Sequence, residues 1–586
     1  MKRFQSAVYL LALLVVGLGT YANSLQGGYF ILDDEPSIES NFDIRQILPL
    51  WREADRTSNP PVNNRPVVRL SLALNYAYGE FQVRGYRAVN LGVHLFCALL
   101  LFIVVRNTLL SSAFAGRYLT TAEGLAFAIA LIWLVHPLQT QCVNHTIQRS
   151  TSLMAFFYLL TIWCVQVGRE KLTWHVLAVG ACGLGMASKE AMVTAPIAVL
   201  LYDRTFLAGS FRKAWKIRWR LYLGLAGSWF FLAFLLRSSP HGKSINLSEP
   251  YIAWHYALNQ TRIILEHYLA TLFWPASLTN FYGPIRYVQW MDLWGYVLVV
   301  LVLLVATAYA LIRRPTVGFP AAWFFLLLAP TSTVAAIFWE AMAERRPYLA
   351  QAGIIGLVVV WCHGRIKDQV ARGMLSLRAV QWICRGSLGF VVAVFISLTV
   401  ERNRAYQDLE VLWGAEIEYV EEVVSQLQVV LPKVSYHRAE LYIRLGLVFA
   451  DAGDWQRAEE NYKQALLVHP GHFGAHKWLG HMYKELEQAD LAMYHFRQAI
   501  ALNPQAYNAH NALGALLCMR GEVAEGIGHL RAAVDIFPNY VWAHSNLGAA
   551  LRMSGDEVAA RKEFRRALMI APEFGPAREN LAAMDG

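Results

Sequence analysis

The chain has 586 residues, of which 56% are hydrophobic and 16% charged, with a formal net charge of +10. A soluble protein carries about 25% charged residues, so this composition, with its mean hydropathy of +0.33, excludes an ordinary soluble protein and indicates a polytopic membrane protein. Much of the positive charge lies in short loops between apolar runs and no basic stretch is interleaved with aromatics outside them, which speaks for membrane lipid and against nucleic acid as a partner.

The first apolar run, FQSAVYLLALLVVGLGT at residues 4–20, is long enough to cross a bilayer core of about 30 Å. It follows Lys2-Arg3, exceeds the apolar stretch of a cleaved signal peptide and is followed by further runs, so it reads as a retained anchor. Shortly after it come three consecutive carboxylates, Asp33, Asp34 and Glu35. Adjacent acids repel, which favours a proton or cation on one of them and suits a general base or a cation ligand. Loop acids at a membrane surface are also common without any such role.

The rest of the loop 22–87 holds a short interfacial helix at 44–51 and an apolar helix at 64–76. In all, eleven spans are expected, near 4–21, 88–106, 121–136, 150–167, 173–187, 191–203, 220–237, 293–312, 319–338, 346–362 and 384–400. Segment 255–275 alternates apolar and polar at helical spacing and reads as re-entrant or interfacial. With the N-terminus cytoplasmic, the most basic short loops, 204–220 and 363–385 among them, fall on the cytoplasmic side as the positive-inside rule demands. The odd number of spans then puts the C-terminal region on the same, non-cytoplasmic side as Asp33 and Asp34. That side is periplasmic in a bacterial inner membrane or luminal in the endoplasmic reticulum. His136-Pro137, Arg149, Lys189-Glu190 and Glu344-Arg345-Arg346-Pro347-Tyr348 gather on the same face. Acids beside cations suit activation of a hydroxyl next to a phosphate. Of the seven cysteines only Cys142 and Cys518 fall clearly outside apolar runs, so neither a disulfide framework nor a metal-binding Cys spacing is present.

Residues 439–586 are soluble in character and periodic. Pro470, Pro504, Pro538 and Pro572 are 34 apart, as are Gly446, Gly480, Gly514 and Gly548, and Ala465, Ala499, Ala533 and Ala567; Ala458, Ala492, Gly526 and Ala560 add a fourth series. Small residues let two helices approach and proline ends the second, which is the tetratricopeptide pattern. The expected organisation is a membrane domain at 1–400, a connector at 401–438, four repeats at 439–574 and a capping helix at 575–586. The fold class is all-α: a transmembrane helical bundle followed by an α-solenoid whose concave face can bind protein or peptide.

In order, Asp33-Asp34-x-x-x-Ile38-x-x-Asn41-x-Asp43, Arg65-Pro66, Asn75-Tyr76, Asn90-x-x-x-His94, His136-Pro137 through Arg149, Lys189-Glu190, Tyr202-Asp203, Glu344-Arg345-x-x-Tyr348 and Arg402-Asn403-x-x-Tyr406 resemble motifs of the transmembrane and tetratricopeptide-repeat-containing O-mannosyltransferases and their bacterial relatives. These belong to the GT-C class of polytopic glycosyltransferases. Gln141 departs from the glutamate common in relatives, Pro347 from a leucine, and Ala350-Gln351 from Pro-Ser. The resemblance implies a polyprenyl- or dolichyl-phosphate sugar donor, an acceptor hydroxyl on a protein presented by the repeats, and transfer with inversion. It implies Asp33 or Asp34 as catalytic base, Asp33 being favoured by alignment with the family's acidic pair. Arg149, Lys189 and Arg345 would then hold the donor phosphate, and Glu35, Arg65, His94, His136, Glu190, Glu344 and Tyr348 would support them, with neither metal nor cofactor. Two competing readings are a membrane-anchored scaffold whose repeats recruit partners without catalysis, and a transporter of lipid-linked sugar. The second predicts ionisable residues at span centres, and few are seen.

Overall fold

A computed structural model describes residues 2–26, 29–31, 34, 37–38, 41–45, 47, 62, 64–168, 170–237, 250–275, 278–279, 290–334, 342–374, 376–425, 432–571 and 573–585. Among these residues every regular element is helical. The chain divides into two compact units, Met1–Asp408 and Leu409–Gly586.

The first unit opens with α1 (Lys2–Tyr21), α2 (Pro66–Gly79), α3 (Val83–Leu109), α4 (Ala122–Leu134), α5 (Thr140–Asn144), α6 (Arg149–Gly168), α7 (Leu172–Met186) and α8 (Ala195–Tyr202). It continues with α9 (Phe211–Arg237), α10 (Pro250–Arg262), α11 (Ala270–Phe273), α12 (Trp290–Arg313), α13 (Pro315–Ala329), α14 (Gln351–Ala371) and α15 (Leu377–Ala405). Prolines set several boundaries. Pro66 and Pro315 occupy first turns, where a missing N–H costs nothing. Pro137 follows α4, and the arms Ala122–Leu134 and Pro137–Asn144 meet at 59°.

α1, α3, α6, α9, α12 and α15 are each long and apolar enough to cross a bilayer, and the bent α4–α5 pair makes a seventh if its arms form one span. The eleven expected places all carry helix, but α7 (15 residues), α8 (8 residues) and α13 (15 residues) are short pieces, and α14 carries Arg365, Lys367 and Asp368 in its second half. Segment 255–275 is one helical run, α10 passing through a π-turn at Ile263–Leu269 into α11, and it buries Ile263, Ile264, Tyr268 and Leu272. Of the two helices expected in the loop 22–87, the apolar one is α2, whereas 44–51 lies mostly outside the described residues. The core packs α3, α4 and α6 around Phe102, Trp133 and Tyr158, while α12 turns Leu298, Val302 and Val305 outward. Exposed apolar surface on that scale is what a lipid environment requires.

The second unit begins with α16 (Leu409–Ser425) and α17 (Pro432–Asp451), then pairs helices: α17 with α18 (Trp455–Val468), α19 (Phe473–Glu485) with α20 (Ala489–Leu502), α21 (Tyr507–Met519) with α22 (Val523–Ile536) and α23 (Val541–Met553) with α24 (Glu557–Ile570), closed by α25 (Gly575–Asp585). The glycine series has a steric cause. A Cβ on Gly446, Gly480, Gly514 or Gly548 would come within 2.6, 2.8, 2.7 or 2.8 Å of Tyr462, Phe496, Leu530 or Phe564. Each large side chain of a second helix therefore lies directly on the backbone of the first, and no side chain fits between them.

Candidate active site

One broken segment gathers the polar residues of the membrane unit. Between α4 and α6 the chain runs through a 3-10 turn at Pro137–Gln139, α5 and a second 3-10 turn at Thr146–Gln148. Broken helix leaves backbone groups unpaired, and in an apolar surrounding each must find a partner. Here the partners come from distant parts of the chain.

Asp34 is fully buried and closes the start of the α6 segment. Its Oδ1 accepts from Ile147 N–H at 2.6 Å, and its Oδ2 accepts from Thr146 N–H at 3.1 Å and Ile31 N–H at 3.2 Å. His145 Nε2 lies 3.7 Å from Oδ1, and the charges of Arg87 and Arg149 face the same carboxylate. A carboxylate on the free N–H groups of a helix start is favoured by both hydrogen bonding and the helix dipole. Asp33 and Glu35 lie outside the described residues.

Arg149 is equally buried. Its Nε donates to Asn90 Oδ1 (2.7 Å), Nη1 to Ser71 O (3.0 Å) and Nη2 to Tyr86 O (2.9 Å), so its planar fork ties α6 to α2 and α3. Arg87 reaches the carbonyls of Ser24, Tyr29 and Tyr406. Both arginines are bonded to the protein frame.

The other two expected phosphate ligands, Lys189 and Arg345, come together. Lys189 donates to Thr151 Oγ1 at 2.7 Å, two residues beyond Arg149. Burial, with the like charges of Arg345 and Arg65 added, pushes its ammonium down to about 7, against the pull of Glu190. Glu190 pairs with Arg65 at 3.1 Å. Burial raises its proton affinity, but Arg65 and Lys189 outweigh that and hold it below the ordinary carboxylate value. Arg345 donates its backbone N–H to Gln141 Oε1 at 3.0 Å, and its neighbour Glu344, fully buried, accepts from Arg402 at 2.7 Å. Gln141, the departure from the family's glutamate, thus keeps an acceptor oxygen and holds the Glu344-Arg345 turn. Lys189, Glu190, Arg65 and Arg345 are all half-buried, in contrast to Asp34, Arg87, Arg149 and Glu344.

The remaining expected residues sit in the frame. His94 Nδ1 meets Tyr348 OH at 2.7 Å and its Nε2 meets Leu134 O at 3.1 Å, with Trp133 alongside. His136 accepts from Leu138 N–H at Nδ1, so its Nε2 carries the proton and donates to Leu272 O at 3.0 Å. The sequence reading missed Arg87, Asn90 as the anchor of Arg149, Gln141 as a positioning group, and the chain Asn144–Asn403–Asn23 with its 2.8 and 3.1 Å links. For Arg402 and Asn403 a signal existed, since they stand in a motif already matched. Among the described residues no three His, Cys, Asp or Glu side chains cluster as a metal would need.

The repeat unit matches the tetratricopeptide-repeat family at residues 443–498 and 483–541. A Caenorhabditis elegans protein O-mannosyl-transferase is 23% identical over 490 residues, which are 80% of this chain and 64% of the relative. Human TMTC4, also named a protein O-mannosyl-transferase, is 28% identical over 207 residues, 31% of this chain and 28% of its own length. Drosophila melanogaster Tmtc1 is 30% identical over 193 residues, 31% of this chain and 21% of the relative. Among solved structures, the tetratricopeptide-repeat protein YrrB aligns with 29% of this chain and 82% of its own at 19% identity, with a TM-score of 0.24. The chain is thus an all-helical, repeat-bearing chain with several bilayer-length helices, spanning less than two thirds of the curated relatives it matches. It is similar to the transmembrane and tetratricopeptide-repeat O-mannosyltransferases, as its ordered motifs imply.

Proposed function

We propose that the chain is an integral-membrane glycosyltransferase of the GT-C class that moves a sugar from a polyprenyl- or dolichyl-phosphate to a hydroxyl on an acceptor protein. The observation that carries this reading is the half-buried set Lys189, Glu190, Arg65 and Arg345, in which Arg345 bonds to the broken segment at Gln141, Lys189 to Thr151 in the first turn of α6, and Glu190 to Arg65. Lys189 and Arg345 take the donor phosphate, with Arg65 adding charge behind them. As the bond between the sugar's anomeric carbon and the phosphate oxygen breaks, the electrons go to the phosphate, and these cations stabilise the developing charge. Asp33 takes the proton of the acceptor hydroxyl, whose oxygen attacks from the opposite face and inverts the carbon. Asp34 pins the base to α6, and Arg149, Glu344, His136, His94 and Tyr348 hold the frame. The leaving group is a monophosphate that side-chain cations neutralise, so the reading needs no metal or cofactor. The reaction runs on the non-cytoplasmic face, periplasmic or luminal, across an eleven-span fold whose repeats present the acceptor polypeptide.

The test is purified protein in lipid, supplied with a panel of polyprenyl-phosphate sugars with and without acceptor proteins, and assayed for released polyprenyl phosphate. Asp33→Asn is expected to abolish release while leaving the protein folded in the membrane. Full activity in Asp33→Asn, Asp34→Asn and the double variant sinks the assignment. Recovery of every phenotype without any sugar transfer supports the scaffold instead.

A further inference from the structure

A cavity lies in the membrane unit, away from the broken segment. It encloses about 800 Å³ between the second half of α3 (Leu101–Leu109), the first half of α13 (Thr316–Trp323) and α14 (Ala352–Asp368). The site's own anchor on α3 is Asn90, and Leu101 is eleven residues further on, about 16 Å along the helix at about 1.5 Å per residue. Gly353 lets α14 close onto α13, where a Cβ would run into Pro320 O, and further along α14 Gly356 and Gly364 leave the wall open. A Cβ on Gly356 would meet nothing closer than Ile129 at 4.0 Å, so that wall is recessed. Inside, the lining is aliphatic and aromatic, and two of its hydroxyls, Thr108 and Tyr202, already bond to each other at 2.7 Å. Tyr118 and Thr316 are the other hydroxyls of the lining, so the interior is mainly apolar.

The mouth is different. Arg117 and Arg365 stand there with Asp368. Arg117 lies over the Tyr118 ring and passes above Gly364, where a Cβ would be 3.8 Å from its guanidinium. Beside the mouth, Val317, Val358 and Trp361 are exposed apolar residues on the outer face of the bundle. An apolar hollow opening through an apolar face, with two cations and one acid at one end, has the charge and shape complement of a lipid: chains inside, anionic head at the rim.

We propose that this cavity binds an anionic membrane phospholipid, its phosphate held by Arg117 and Arg365, in the leaflet opposite the candidate active site. The inference does not rest on the glycosyltransferase reading, because no residue of that site lines the cavity.

The experiment is lipid analysis of the full chain purified in mild detergent, by native mass spectrometry and headgroup quantification, followed by exchange into nanodiscs of phosphatidylcholine with or without phosphatidylglycerol. One anionic phospholipid is expected to stay with each chain, at least fivefold less in Arg117→Ala/Arg365→Ala. Gly356→Leu, which fills the hollow, is expected to expel it while the chain stays helical and monodisperse. Asp368→Asn is expected to retain it fully. Equal retention in the double variant, no headgroup preference between nanodiscs, or recovery of a polyprenyl phosphate in place of the phospholipid overturns the proposal.

Discussion

The two units are built of the same element and hold it together in opposite ways. In the repeat unit the deciding contacts are close in sequence and recur: Gly480 under Phe496, Gly548 under Phe564, His510 against His529 nineteen residues on. In the membrane unit they join remote segments: Asp34 to Ile147 across 113 residues, Arg345 to Gln141 across 204, and Asn144 to Asn403 across 259. A stacked array confines damage to a repeat and its neighbours, whereas a frame closed by long-range polar bonds fails as a whole.

The sharpest break of that contrast is Asp34→Ala. It leaves the N–H groups of Ile31, Thr146 and Ile147 without their carboxylate and two buried guanidinium charges without their counter-ion. Removing one side of a buried charge set costs about 3–5 kcal/mol. Hydrogen exchange is expected to rise at α2, α3 and α6 together, with loss of expressed protein, and Asp34→Asn to be milder because one acceptor oxygen remains. An exchange pattern confined to residues near 34 would deny the shared frame. The matching variant in the other unit is Gly480→Val, which drives a branched side chain into Phe496. Overpacking of this kind costs about 1–3 kcal/mol. Exchange should rise in α19–α20 and the adjoining helices and leave α23–α24 unchanged.

The same contrast decides what the sequence could reveal. The repeats were legible because a 34-residue period repeats every packing requirement, and the steps Tyr462, Phe496, Leu530, Phe564 lay in the same register for anyone pairing them with the glycines. In the membrane unit charge and loop order grouped Lys189, Glu190, Glu344 and Arg345, and in the structure Arg345 and Glu190 act on the Lys189 charge. The division of labour within the site was not legible. Whether an arginine faces ligand or frame depends on carbonyls supplied by other helices, as Arg149 shows with Ser71 and Tyr86. Span counting was least legible, since α7, α8 and α13 are helices too short to be told from full spans by apolarity alone.

A smaller effect tests which cation matters at the site. Lys189, lowered to about 7, is a cation below that pH and loses its proton as pH rises through it. If its charge stabilises the leaving phosphate, kcat/KM falls about tenfold per pH unit above that value. Lys189→Arg stays protonated and is expected to keep a flat profile to higher pH. An unchanged alkaline limb in that variant would move the role to Arg345.

The least of the expected effects lies among the repeats and uses their symmetry as its control. His476 and His495 face each other Nδ1 to Nδ1 at 2.9 Å, and His510 and His529 do so at 3.0 Å, but in the fourth repeat Glu563 takes the second place, 2.6 Å from His544 Nδ1. His510 and His544 also meet the carbonyls of Pro504 and Pro538 through Nε2. With Nε2–H spent on the carbonyl, His510 offers only a lone pair to His529, so each His–His pair holds one proton and repels a second. His544 has an acceptor at each nitrogen, which favours its protonated form. Accordingly, burial, His476 and Lys463 push His495 down to about 4 against Glu459, and burial and His510 lower His529 against Glu525. For His544 burial lowers the value but Glu563 outweighs it and raises it. Lowered imidazoles bind their protons in the unfolded chain first, so the His–His repeats lose stability as pH falls from about 6.5 towards 4, while His544 contributes fully below about 6.5 and loses its contribution above its raised value. Replacing His495 and His529 by glutamate gives repeats two and three the fourth repeat's pairing. The drop in melting temperature between pH 7.5 and pH 5 should shrink, though His472 and His481, both near 4, keep part of it. The same drop in the double variant and the unaltered chain would mean that the facing imidazoles do not set the acid sensitivity of the array.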